Sequence, residues 1–335
     1  MAHFHTIVLQ ESAVAFPCAP DDTILRAGLR SGIGLPYECS MGGCGSCKFD
    51  LLEGEVFELW PDAPGLRPRD RQRGKRLACQ CVPRGPCIIG MREHPRFRPH
   101  DLPRKRQARL IYTHDVTRDI RRLGFQSDAP SRFQAGQYAL IGLGAGQPVR
   151  AYSMSNPAGD EGIWEFMVRR VPNGQLSKKL FDDTPVGSVA ELDGPYGLAF
   201  LRENDRPIVC VGGGSGIGPM ISILATWAQR GGCRGEAHLF YGGRTIGDIP
   251  DIASLLNCAG KKVNYHTAIS GPECPAEWAG STGYVHDLLS VKLREGLAAY
   301  EYYVAGPAPM IEATSRMLIA DFQVPATQVH YDRFF

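Results

Sequence analysis

Three cysteines in Cys39-Ser-Met-Gly-Gly-Cys44-Gly-Ser-Cys47, with a further one at Cys79 after a gap of thirty-one residues, constrain this chain more than anything else in it. The first three follow a C-x₄-C-x₂-C spacing, the ligand spacing of plant-type [2Fe–2S] centres. Two irons bridged by two sulfides need thiolates from two directions, so a tight loop supplies three ligands and a distant strand supplies one. The fold must therefore return to the loop with a second cysteine. Gly42, Gly43 and Gly45 let the loop wrap closely and aim N–H groups at the sulfurs, because glycine tolerates positive φ. Structural zinc favours two short C-x₂₋₄-C pairs, and only one such pair is present. Leu77-Ala-Cys79-Gln-Cys81 offers two candidates for the fourth ligand, Cys79 and Cys81.

At 335 residues the chain is long enough for two or three domains, each with its own core. A net charge of +2 neither proposes nor excludes a partner, and eleven cysteines suggest cytosolic thiols plus a metal centre rather than a disulfide framework. No signal segment opens the chain and no run has the apolar length of a membrane helix, so a soluble, cytoplasmic protein is expected, with no nucleic-acid or membrane partner.

Alternation over His5–Leu9 reads as a strand, Pro17 to Asp22 as a turn, and Thr23 to Ser31 as a helix capped by Asp22 and ended by Gly32. Strands follow at Lys48–Leu52 and Leu77–Cys81, which makes a small β-grasp unit finishing near residue 91. From Arg92 to Arg109 the chain is basic, broken by Pro and His and without apolar periodicity, as a linker would be; it could also meet an acidic partner. Short alternating runs then include Tyr138–Ile141, Glu165–Val168 and Val189–Leu192, the pattern of an antiparallel β-barrel. The last third alternates strands (Ile208–Val211, His238–Tyr241, Tyr302–Val304) with helices, which implies an α/β domain with a parallel sheet. The expected boundaries are 1–95 for the ferredoxin-like domain, 96–205 for the barrel with 96–107 as linker, and 206–335 for the α/β domain.

Arg150-Ala151-Tyr152-Ser153 follows a strand and a Gly-rich turn. Phe133-x-Ala-Gly136-Gln137-Tyr138 lies upstream, and Val171-Pro-Asn-Gly174-Gln175-Leu176-Ser177 lies downstream. Together these segments resemble the ferredoxin–NADP⁺ reductase superfamily, whose flavin motif is R-x-Y-S followed by a G-x-x-S turn. The resemblance implies FAD. Arg150 would offer its fork of donors to the pyrophosphate. Tyr152 would lie flat against one face of the isoalloxazine ring, and the Ser153 hydroxyl would reach N5. Residues 174–177 would open a helix toward phosphate, and Met167, Val168 and Arg169 would line the same site.

Ile208-Val-Cys-Val-Gly212-Gly213-Gly214-Ser215-Gly216-Ile-Gly-Pro219 runs from an apolar strand into a glycine turn and a helix begun by Pro219. It lacks a strict G-x-G-x-x-G register. The next strand, ending Tyr241-Gly-Gly-Arg244, offers no acidic group for a ribose, which disfavours an ordinary Rossmann dehydrogenase. The superfamily shares both departures and adds a C-G-x-P-x-M loop for the nicotinamide. That loop here reads Ala305-Gly306-Pro307-Ala-Pro-Met310, with Ala305 in place of cysteine. Arg244 is the basic handle for the adenosine ribose, and with no second basic residue close behind it NADH is favoured over NADPH. A terminal aromatic covers the other flavin face in this superfamily; Phe334 matches best and Phe335 second.

The order of ferredoxin, flavin and nicotinamide domains covers the chain. It is similar to the reductase components of bacterial multicomponent aromatic-ring oxygenases. Residues 35–39, 51–56, 60–66 and 77–81 resemble toluene 4-monooxygenase and carbazole dioxygenase reductases, and residues 14–20 resemble terephthalate dioxygenase reductases. The resemblance selects Cys79 as the fourth ligand with Cys39, Cys44 and Cys47. It implies electron flow from NADH through FAD and the [2Fe–2S] cluster to a Rieske ferredoxin, or to an oxygenase with Rieske or diiron centres, in aromatic hydrocarbon catabolism. Tyr152, Ser153 and Phe334 would be the residues at the reacting flavin, and a monomer suits such a shuttle. A similar reductase serving a non-oxygenase acceptor and a non-enzymatic redox sensor are the competing readings. Cys18, Cys87, Cys210, Cys233, Cys258 and Cys274 are read as structural thiols.

Overall fold

In the computed structural model, which describes residues 4–144, 146–231, 236–256, 263–272, 276–294 and 296–334, the chain divides into two compact units. They are Met1–Lys105 with Asp193–Tyr196, and Arg106–Leu192 with Gly197–Phe334. Cys233, Cys258, Cys274 and Phe335 lie outside the described residues.

The alternation of His5–Leu9 buries Ile7 and Leu9 completely and makes this strand the second of a mixed five-stranded sheet. In order, the sheet runs Ala15–Cys18, His5–Leu9, Cys87–Gly90, Lys48–Glu53 and Lys75–Leu77, with only the His5–Leu9 and Cys87–Gly90 pairing parallel. It wraps helix Ile24–Arg30, whose Ile24, Leu25 and Leu29 are fully buried, in the expected β-grasp arrangement. Two local expectations change. Pro17 lies in a strand rather than a turn, opposite Thr6, and is tolerated because that strand is at the sheet edge. The helix cap is Thr23, whose side chain accepts from the Arg26 N–H, while Asp22 accepts one residue earlier from the Thr23 N–H.

The rest of the chain builds a six-stranded barrel sheet and a six-stranded parallel one. The first runs Val149–Ser153, Tyr138–Gly142, Val189–Tyr196, Arg104–Asp115, Ile120–Ser127 and Ile163–Arg169. An isolated bridge between Met154 and Phe166 joins its two edges, so the sheet closes as a barrel around Leu110, Leu123, Phe125, Trp164 and Phe166. Its strand Arg104–Asp115 begins inside the stretch read as linker.

The parallel sheet runs Ser281–Thr282, Val263–Ile269, Ala237–Gly243, Ile208–Gly213, Glu301–Pro307 and Val329–Phe334. Chain order reverses between Ile208–Gly213 and Glu301–Pro307. That makes a topological switch point, where crevices open beyond the carboxyl ends of the strands. Helix Ile217–Gln229 follows the glycine turn, and Pro219 is its third residue, in the first turn where a missing N–H leaves no bond unmade. Among the described residues no helix is long and apolar enough to cross a membrane.

Candidate functional site

The cysteine loop turns on Gly42 and Gly45, with φ of 84° and 76°, and on Ser40, a non-glycine residue at 53°. Gly43 keeps negative φ. At Gly45 a Cβ would come within 2.4 Å of the Gly65 carbonyl oxygen, so only glycine fits where the segment Trp60–Leu66 presses on the loop. The expected N–H groups point at sulfur: Met41 N–H and Cys44 N–H donate to Cys39 Sγ at 3.4 and 3.3 Å, and Ser46 N–H donates to Cys44 Sγ at 3.4 Å.

The four expected ligands stand as two thiol pairs, Cys39 with Cys44 and Cys47 with Cys79. The Cys39 thiol beside it holds Cys44 down to about 5, with Ser46 assisting. Cys79 is lowered by Cys47 and by the Gln80 side-chain amide, which donates at 3.7 Å. Their partners Cys39 and Cys47 are pushed up by those same contacts and by burial. Among the described residues no three Cys, His, Asp or Glu side chains converge as one ion would require. Two pairs suit a two-iron centre, one pair per iron, and the sulfur-directed donors fit its charge.

Cys79 sits not in a strand but in a 3₁₀ turn, Ala78–Gln80, between strands Lys75–Leu77 and Cys81–Pro83. Cys81 lies opposite Glu58 in its strand, and burial pushes its thiol up to about 12. Cys210 is buried in the parallel sheet, and Cys18 and Cys87 in the β-grasp sheet.

In the second unit, Arg150, Ala151, Tyr152 and Ser153 occupy a barrel strand in register with Ile141, Leu140, Ala139 and Tyr138. Strand alternation puts Arg150 and Tyr152 on one face. Arg150 is exposed, while burial pushes the Tyr152 phenol up to about 12. Helix Gln175–Lys178 begins after Gly174; Gln175 is exposed, but Leu176 points into the barrel core. The Ser177 hydroxyl is turned inward, accepting from the Val171 N–H at 3.2 Å.

The barrel strand that carries Met167, Val168 and Arg169 ends against the glycine turn. A Cβ on Gly218 would meet Met167 Cβ at 3.4 Å and Ser155 Cβ at 3.6 Å, and one on Gly214 would meet the Arg169 guanidinium at 3.4 Å. Val168 itself points into the barrel core. Asp119 fixes Arg169 at 2.7 Å. Ser155 is 1% exposed and its hydroxyl has no hydrogen-bond partner, an orphaned polar group at the junction of the two sequence constellations. Enclosed to this degree, that hydroxyl does not reach a cofactor, whereas Arg150 and Tyr152, which share one strand face with Arg150 exposed, fit a dinucleotide that carries an aromatic ring.

The glycine turn and the later loop meet at the switch point. A Cβ on Gly216 would fall 2.0 Å from the Ala305 carbonyl oxygen, and one on Gly213 would fall 2.8 Å from Met310 Sδ. Gly306, at φ 144°, lies equally close to Gly213. Ser215 stands in the 3₁₀ turn Gly214–Gly216, and the Tyr241 hydroxyl donates to Gly214 O at 3.0 Å. Phe334 ends the edge strand opposite Pro307 and packs against the core that includes Met167 and Ile217. The structure thus gathers Met167, Arg169, Gly213–Gly216, Ala305–Pro307, Met310 and Phe334.

Four groups here escaped the sequence reading. Asp248 turns back on the strand end, accepting from the Arg244 and Thr245 N–H groups at 3.1 and 2.9 Å, and pairs with Arg118 at 2.8 Å. Thr245-x-x-Asp248 is a capping box, so the signal was present. Arg118, Asp119 and Ser155 carried none.

Comparison with known proteins gives three domain families in the same order. Residues 7–84 match the 2Fe-2S iron-sulfur cluster binding domain, 107–200 the oxidoreductase FAD-binding domain and 210–316 the oxidoreductase NAD-binding domain. The chain is 39% identical over 326 residues to the ferredoxin–NAD(P)(+) reductase CarAd of Metapseudomonas resinovorans, covering 95% of this chain and 96% of that one. It is 38% identical to the ferredoxin–NAD(+) reductase component of the alkene monooxygenase system of Xanthobacter autotrophicus, covering 96% and 98%. Among solved structures, the ferredoxin reductase in carbazole 1,9a-dioxygenase superposes with a TM-score of 0.93 at 36% identity, over 100% of this chain and 99% of that one. The Amycolatopsis cytochrome P450 reductase GcoB superposes with a TM-score of 0.83 at 27% identity, over 98% of each.

Proposed function

Because the chain belongs to the ferredoxin–NAD(P)⁺ reductases that carry their own [2Fe–2S] domain, we propose that it supplies electrons from NADH to an aromatic-compound oxygenase. The acceptor is a Rieske ferredoxin, or a terminal oxygenase component with Rieske or diiron centres, and the protein works as a cytoplasmic monomer. When bound, FAD and the cluster convert a two-electron hydride donor into a source of single electrons.

The chain's own residues prepare that conversion by position. Cys39 and Cys44, with Cys47 and Cys79, would hold the cluster, and the Met41, Cys44 and Ser46 N–H groups would offset the negative charge of the sulfurs. Arg150 would bind the FAD pyrophosphate through its fork of donors. Residues 174–177 would meet the phosphates by backbone, since Leu176 and Ser177 turn inward. Tyr152 and Phe334 would hold the two faces of the flavin and Ser153 would offer its hydroxyl to the reacting edge, with Met167 and Arg169 on the side toward the glycine turn. Gly213–Gly216 and Ala305–Met310 receive the nicotinamide dinucleotide in the switch-point crevice. Loss of the cysteine at position 305 leaves the backbone of that loop to do the holding.

Asp248 supports NADH over NADPH. It occupies the strand end beside Arg244 and engages Arg118, so a 2′-phosphate would meet a carboxylate and a single uncommitted guanidinium. The observation that carries the whole reading is the pairing of four cysteines under directed N–H donors in a chain that also builds a dinucleotide crevice. Stopped-flow mixing tests it: NADH should bleach the bound flavin at least about tenfold faster than equal, subsaturating NADPH, equivalent to about 1.4 kcal/mol of discrimination. Equal rates would remove the NADH assignment. A purified protein that binds neither flavin nor iron–sulfide would remove the function.

A further inference from the structure

The surface next to the cysteine loop is apolar at its centre and basic along one side. Leu59 and Trp60 are 50% and 46% exposed, although large apolar side chains are usually covered. Both flanks of this pair are tied to the loop. Leu59 N–H donates to Gln80 O at 2.8 Å, one residue from Cys79, and Gly65 N–H donates to Gly42 O at 2.8 Å. Helix Pro68–Gln72 follows, held to the same segment by Arg71, which donates to the Pro61 and Ala63 carbonyls. Arg67, Arg69 and Arg73 stay exposed along it. Of the nearby acids, Asp70 is matched by Lys48 at 2.7 Å and Glu58 by Arg76 at 2.7 Å, while the exposed Asp62 beside Trp60 offsets one of the three arginines, so the face keeps a positive excess.

We propose that Leu59 and Trp60, with Arg67, Arg69 and Arg73, form the docking face for an acidic one-electron carrier protein. The proposal rests on the electron-supply reading above and names the chemistry of its acceptor. Electron transfer weakens steeply with distance, so an acceptor must sit beside the cysteine loop, and this is an exposed apolar surface bonded directly to it. Trp and Arg are the residues that interfaces concentrate, with apolar contact at the centre and charge at the rim. The three guanidiniums steer an acidic partner during encounter, which acts on association rate and is screened by salt.

The test uses full-length holoprotein, NADH and two haem proteins at subsaturating concentration: acidic cytochrome b5 and basic cytochrome c. In the double variant Arg69→Glu/Arg73→Glu, reduction of cytochrome b5 should fall at least about tenfold at low ionic strength, within the 10–10³ range of electrostatic steering. The gap should close near about 0.5 M salt, where screening reaches only a few ångströms. Cytochrome c reduction should rise, and NADH bleaching of the protein's own flavin should not change. Trp60→Ser should slow cytochrome b5 at both salt concentrations. If charge reversal leaves cytochrome b5 unaffected, or slows both haem proteins alike, the docking face is elsewhere. If wild-type protein reduces neither haem protein although NADH bleaches its flavin, the electron-supply reading fails instead.

Discussion

A thiol two residues from a cluster ligand competes for the iron unless the backbone turns it away. Cys79 and Cys81 are both buried and look equivalent in a strand reading, where an i, i+2 pair shares one face. The 3₁₀ turn Ala78–Gln80 breaks that equivalence: Cys79 meets Cys47, while Cys81 enters the strand opposite Glu58. Burial raises the Cys81 thiol to about 12, so it stays protonated where Cys79, held low by Cys47 and Gln80, is ready to ligate. Cys81→Ser should therefore keep the visible iron–sulfur absorption, and Cys79→Ser should abolish it; the opposite result in absorbance and iron content would move the ligand to Cys81. Spacing alone marked Cys39, Cys44 and Cys47 as ligand candidates. The sulfur donors Ser46 and Gln80 depend on how turns close, which residue type does not encode, whereas Asp248 did leave a signal in the capping box Thr245-x-x-Asp248.

Adjacent strands of the parallel sheet place His238 and His266 with rings stacked at 5.5 Å and Nδ1 of one 3.2 Å from Nε2 of the other. One ring must donate and the other accept, so the two rings cannot both be charged in the fold. Burial, the neighbouring His238 and then Lys292 lower His266 to about 4; burial likewise lowers His238, against the opposing pull of Glu236. In the unfolded chain both imidazoles charge near about 6.5. Between about 6.5 and about 4 the unfolded chain thus binds more protons, so stability falls as pH drops through that window and loses nothing further from this source below it. The thermal midpoint should fall more between pH 7 and pH 5 in wild type than in His266→Asn, with cofactor content matched; equal falls would show that the pair is not titrating. At this scale, apolar period made the strands legible, including Ile208–Gly213 and Ile163–Arg169. The edge position that admits Pro17 and the capping role of Thr23 were not legible, because each depends on a neighbour supplied by the fold.

Over the whole chain, three motif groups read in order were enough to anticipate the three domain types. Their convergence was not readable, because Gly216 meets Ala305 only through the strand reversal at the switch point. The acceptor was not readable either, since exposed arginines and a half-covered tryptophan make no motif. Joining a hydride donor to a one-electron acceptor in one polypeptide has a consequence that removal of the cluster exposes. Cys79→Ser takes one thiolate from the cluster and leaves Arg150, Tyr152, the glycine turn and the Ala305–Met310 loop untouched. NADH oxidation with ferricyanide, a small acceptor able to reach the flavin, should stay within about twofold of wild type. Reduction of a haem protein should fall at least about tenfold, a barrier increase of about 1.4 kcal/mol or more, because a protein acceptor is held off from the flavin. Undiminished haem reduction by cluster-free protein would mean that single electrons leave from the flavin itself. The paired cysteines would then serve structure or sensing, and the domain order would no longer describe the route the electrons take.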